Sequence, residues 1–92
     1  MARSDEENFT LKSLAGRLRD KRINDTQFSQ EQIGFLCGLS HAYISDIEKG
    51  KKDLRFLTLW RYSRIYGISM AELFDFTFWS KNNLFLKNGE KF

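Results

Sequence analysis

The chain has 92 residues, enough for one small domain with an efficiently packed core. Apolar residues make up 41% and charged residues 29%, a globular balance that excludes a disordered chain, and no apolar run approaches the roughly 18–20 residues of a membrane span. The net charge is a modest +3, and the single cysteine, Cys37, excludes an intrachain disulfide and a thiolate metal cluster. In chain order, Leu11, Leu14, Ala15 and Leu18 form a helical stripe with Thr10 placed to cap it, and Asn24–Gln27 read as the loop that ends it. Ser29-Gln30-Glu31-Gln32 is a capping box, with Phe28 and Ile33 as its staple, and it opens a short helix that Gly38 stops. Ser40 caps a third helix running through Lys49 to Gly50, with Ile44 and Ile47 pinning one side. After the polar Lys51-Lys52-Asp53, a fourth helix runs from Phe56 to Tyr66, its stripe of Phe56, Leu59, Trp60, Ser63 and Tyr66 assigned to the core. Ser69-Met70-Ala71-Glu72 is a second capping box, starting a fifth helix with Ile68 and Leu73 as its staple. Thr77-Phe78-Trp79 and Leu84-Phe85-Leu86 flank an Asn-rich turn and read as two short strands, with a helix as the competing reading.

The chain is therefore expected to be all-α, with an N-terminal arm over 1–9, a five-helix domain over 10–74 and an aromatic extension over 75–92. Its charge is uneven. Residues 51–67 carry +4 and residues 14–27 carry +2, while residues 28–50 carry −2. Clusters such as Lys51, Lys52, Arg55, Arg61 and Arg64 can neutralise phosphates or simply solvate a helix face. Of these, Lys51, Lys52 and Arg55 favour phosphate, while Arg61 and Arg64 read as ordinary helix surface.

The second and third helices carry the functional signal. Gly38-Leu39-Ser40 is short enough to force a sharp angle between them, as a helix-turn-helix requires. Gly34 sits where the two helices come closest, and Ile33, Cys37, Ile44 and Ile47 hold one against the other. The outer face of the third helix is polar and uncluttered.

These residues, with the strings Ser29–Ile33, Tyr43–Lys51 and Leu59–Ser69, resemble the phage-repressor-like helix-turn-helix family (XRE, Cro/CI type), over about residues 11–74. Tyr43–Gly50 looks especially like the restriction–modification controller proteins within it. The resemblance implies a lambda-repressor-like five-helix fold and a transcriptional regulator that binds double-stranded DNA as a homodimer. It places His41, Ala42, Ser45 and Asp46 at positions that read base edges. His41 can donate to guanine N7 or O6, Ala42 can touch a thymine methyl, and Asp46 suits a cytosine amine. Gln30, Tyr43, Lys49, Lys51, Lys52 and Arg55 become phosphate contacts. Arg22 and Glu48 match a buried structural pair, although the Ile23–Phe28 connection is longer than the family's usual. The arginine that controller proteins typically carry at the His41 position is absent.

Phe76, Phe78, Trp79, Phe85 and Leu86 exceed what a small domain can hide alone, which makes them dimer-interface candidates. A different class of function, an antitoxin-like module whose tail grips a partner protein, would use the same fold. Catalysis is not expected: the one histidine and one cysteine have no nucleophile–base–orienter set, and no phosphate loop or metal-ligand spacing occurs. No cofactor is expected. The polar, acidic start of the chain does not read as a signal peptide, and with the lone cysteine it points to the cytoplasm.

Overall fold

A computed structural model describes residues 3–75. They form five helices: α1 (Asp5–Asp25), α2 (Gln30–Cys37), α3 (His41–Glu48), α4 (Phe56–Tyr66) and α5 (Met70–Leu73). No strand occurs among the described residues. The strand-or-helix question for the aromatic extension, and the dimer candidates Phe76, Phe78, Trp79, Phe85 and Leu86, lie outside them. No helix among the described residues is long and apolar enough to cross a membrane.

The first helix starts earlier than its apolar stripe. Ser4, not Thr10, is the N-cap: its hydroxyl accepts from the Glu7 amide while the Glu7 carboxylate accepts from the Ser4 amide. Asp5, Glu6 and Glu7 place negative charge on the positive end of the helix dipole. Thr10 instead donates to the Glu6 carbonyl inside the helix, and residues 5–9, expected as an arm, are helical. The start was hidden because no apolar stripe follows Ser4 closely; caps act without one. At the other end Thr26 accepts from the Phe28 amide and donates to the Arg22 carbonyl, closing the helix just past Asp25.

Three other caps form as local chemistry dictates. Ser29 and Gln32 exchange both bonds of their capping box, and Ser40 accepts from the Tyr43 amide. Ser69 accepts from the Glu72 amide, but the return bond expected of that box is not made. Gly38 follows α2 with φ at 73°, a left-handed conformation that a Cβ disfavours.

The core draws on all five helices: Leu14 and Leu18, Ile33 and Cys37, Ile44 and Ile47, Leu59 and Tyr62, and Leu73. Gly34 lets α2 and α3 touch, since a Cβ there would lie 2.6 Å from the Leu39 carbonyl oxygen. The inward face of the fourth helix overlaps its expected stripe but is rotated from it: Leu59, Ser63 and Tyr66 pack inward, while Phe56 and Trp60 do not. Leu59, Tyr62, Ser63 and Thr58 are buried, whereas Phe56 is 68% and Trp60 42% exposed. Phe56 and Trp60 flank Leu59 and Ser63 on one side, and Tyr62 flanks them on the other, so composition alone allows more than one inward face, and packing takes the side carrying Leu59 and Tyr62. Trp60 lies under the Arg64 guanidinium, 5.0 Å from ring centroid to charge.

Several cations act inside the fold. Arg17 donates to the carbonyls of Glu72 and Leu73 at the end of α5, and Arg61 donates to the Cys37 carbonyl at the end of α2. Both satisfy carbonyls that a helix terminus leaves open. Arg61, expected as ordinary helix surface, therefore ties α4 to the helix-turn-helix.

Candidate nucleic-acid interface

The α2–turn–α3 unit presents its polar side from two helix N-termini. His41 and Ala42 open α3 and are exposed; Ser45 and Asp46, a turn further on, are half-buried. The Asp46 carbonyl accepts from the Lys51 amide at 2.9 Å, fixing the chain as it leaves the helix. Lys49, Lys51 and Arg55 are exposed, and Lys52 stands over the Tyr43 ring at 5.2 Å from its centroid. That stacking joins two of the expected phosphate contacts into one amphipathic pair.

Below this surface Arg22 and Glu48 form a bidentate ion pair, with Nε to Oε2 at 2.7 Å and Nη2 to Oε1 at 2.9 Å. The Glu48 side chain is only 1% exposed. The longer α1–α2 connection does not disturb the pair; Arg22 also donates to the Phe28 carbonyl within that connection. Proximity to the carboxylate pushes the Arg22 guanidinium above its ordinary value, chiefly through the hydrogen bond itself. Helix α3 is thus anchored to α1 through a charge pair, beside Ile44 and Ile47 in the core.

Gln30 extends this pair to the surface. Its Nε2 donates to Glu48 Oε1 at 3.0 Å, and its Oε1 lies 3.0 Å from His41 Nε2. One amide therefore joins the buried carboxylate to the first residue of α3. A primary amide has two N–H donors, so the second remains for an anion at the N-terminus of α2. The sequence placed Gln30 and His41 at the surface but did not connect them, because their contact depends on the angle between α2 and α3. The tethering role of Arg61 has no local signal either, since its acceptor lies on another helix.

Cys37 is buried, and desolvation raises its thiol above the ordinary value, which suits core packing rather than reactivity. No group of three or more His, Cys, Asp or Glu placed to hold a metal ion occurs among the described residues.

A helix-turn-helix family model, HTH_3, matches residues 18–73. The chain is 34% identical over 61 residues to control protein C.BamHI from Bacillus amyloliquefaciens, covering 66% of this chain and 75% of that one. It is likewise 34% identical over 62 residues to control protein C.MunI from a Mycoplasma species, covering 67% and 84%. Its fold is similar to the crystal structure of the restriction–modification controller protein C.AhdI from Aeromonas hydrophila. There the TM-score is 0.63 at 28% identity, covering 68% of this chain and 94% of that one.

Proposed function

This chain belongs to the HTH_3 helix-turn-helix family, and we propose that it reads an operator as a homodimer and controls a restriction–modification system. It is a DNA-binding regulator homologous to control proteins of such systems. In this reading α3 enters the major groove, with His41, Ala42, Ser45 and Asp46 facing base edges. Gln30, Tyr43, Lys49, Lys51, Lys52 and Arg55 set the register on phosphates. Two-fold symmetry would space the half-sites by about 34 Å, one helical turn. Phe76, Phe78, Trp79, Phe85 and Leu86 are the proposed dimer contacts.

The observation that carries this reading is the polar, exposed start of α3 beside the N-terminus of α2, held from beneath by Arg22 and Glu48. The test is a titration of the protein against its own upstream promoter and a scrambled duplex, at two salt concentrations, with His41→Ala alongside. Promoter binding should exceed scramble binding by roughly a thousandfold, weaken with salt, and lose discrimination in the variant. Equal, weak, salt-erased binding to both duplexes would overturn the reading.

A further inference from the structure

The chain Arg22–Glu48–Gln30–His41 has a direction. Arg22 grips both oxygens of Glu48, and a carboxylate so held only accepts hydrogen bonds. Gln30 must therefore turn its NH2 toward Glu48, which leaves its carbonyl oxygen facing His41 Nε2. An amide oxygen also only accepts, so the proton between them belongs to the imidazole. His41 Nδ1 has no hydrogen-bond partner among the described residues, and the residue is exposed.

We propose that Glu48, acting through Gln30, locks neutral His41 in its Nε2–H tautomer, so that the first position of the recognition helix offers DNA an acceptor, Nδ1. That position then selects an exocyclic amine, adenine N6 or cytosine N4, rather than the acceptor edge of guanine. The donor role that a histidine taken alone suggests is spent inside the protein, on Gln30. Glu48 and Gln30 act as positioning residues: they determine the polarity of a contact they do not make. The inference rests on the proposed base-facing role of residues 41–46, and its two tests separate the lock from that role.

The first test needs no DNA. The chain has a single histidine, so long-range proton–nitrogen spectra of the full-length labelled protein report His41 without ambiguity. They should be recorded where its nitrogen shifts show a neutral ring. The expected pattern is an unprotonated Nδ1 and an Nε2–H proton protected from solvent exchange. Gln30→Ala, and Gln30→Asn with its shorter reach, should lose that protection while amide dispersion shows the fold intact. A proton on Nδ1, or an Nε2–H signal unchanged in both variants, overturns the lock.

The second test uses operator duplexes in which single exocyclic amines or purine N7 atoms are removed. Loss of one amine should weaken wild-type binding by about three- to tenfold, the worth of one neutral hydrogen bond, and should not weaken His41→Ala further. Sensitivity to a guanine N7 atom instead of an amine, abolished in the same variant, overturns the acceptor role. If His41→Ala binds every duplex like the wild type, the base-facing reading fails and takes the selection with it. The spectra would still decide the lock.

Discussion

Arg22 and Glu48 illustrate how a charge pair can hold a surface in place while contributing little by itself. Burying two ions costs much of what their attraction returns, so the pair's value shows mainly when one partner is removed. Arg22→Ala would leave the Glu48 carboxylate, 1% exposed, with only the Gln30 amide to compensate it. The expected loss is about 3–5 kcal/mol, measured as a reduced midpoint in urea unfolding with an unchanged slope. Tyr62 behaves oppositely. Its side chain is fully buried, and its hydroxyl has no partner among the described residues. Tyr62→Phe removes a desolvated polar group without opening a cavity. It should leave stability unchanged or raise it by up to about 1 kcal/mol, on the same urea assay.

At the scale of the elements, three glycines separate three physical effects under one substitution. Gly34→Ala would drive a methyl to 2.6 Å from the Leu39 carbonyl oxygen and 3.3 Å from Ile44 Cγ1, forcing α2 away from α3. That overpacking should cost about 1–3 kcal/mol and impair DNA binding with it. Gly38→Ala meets nothing within 4 Å but sits at φ +73°, so its cost of about 1–2 kcal/mol comes from the backbone alone. Gly16 lies inside α1 with open space around it. Gly16→Ala should stabilise by about 0.5–1 kcal/mol, because alanine loses less backbone freedom in a helix. Thermal melts of the three variants check the order: Gly16→Ala above the wild type and the other two below it.

At the scale of the molecule, three weak acids lie in or against the core: Cys37 and Tyr62 are buried and Tyr66 is half-buried. Cys37, Tyr62 and Tyr66 ordinarily titrate near 9.0, 10.0 and 10.0, and burial pushes each one upward as its first cause. The unfolded chain therefore releases these protons at lower pH than the folded one. Stability from this source is fully present at neutral pH and falls as pH rises through 9.0 to 10.0, where the unfolded thiol and phenols ionise. Urea midpoints should be flat near neutrality and decline above pH 9, and Tyr62→Phe should make the decline shallower. A midpoint that holds steady to pH 11 would contradict the burial of these groups.

Local chemistry was legible in the residues themselves. Ser29 with Gln32, Ser40 and Gly38 mark helix ends because a cap joins groups only a few residues apart, so its chemistry is written in adjacent letters. The helix-turn-helix spacing was legible for the same reason, since the turn and the small residue at Gly34 are local requirements. The start of α1 was equally local, in Ser4 and Glu7, but carried no apolar stripe to draw attention to it. The inward face of α4 was legible only in part: Leu59, Ser63 and Tyr66 lie on the expected stripe, but Phe56, Trp60 and Tyr62 are all suitable core residues and only the packed partner selects Tyr62 among them. The links from Gln30 to Glu48 and to His41 span 18 and 11 residues. A hydrogen bond acts over about 3 Å, so contacts between residues so far apart exist only once tertiary packing has set the angle between α2 and α3. The sequence by itself determined the helices, most of their caps and the family, because these depend on neighbouring residues. The tertiary structure decided which large side chains of α4 are core and that Gln30 joins Glu48 to His41, because those contacts exist only between packed helices.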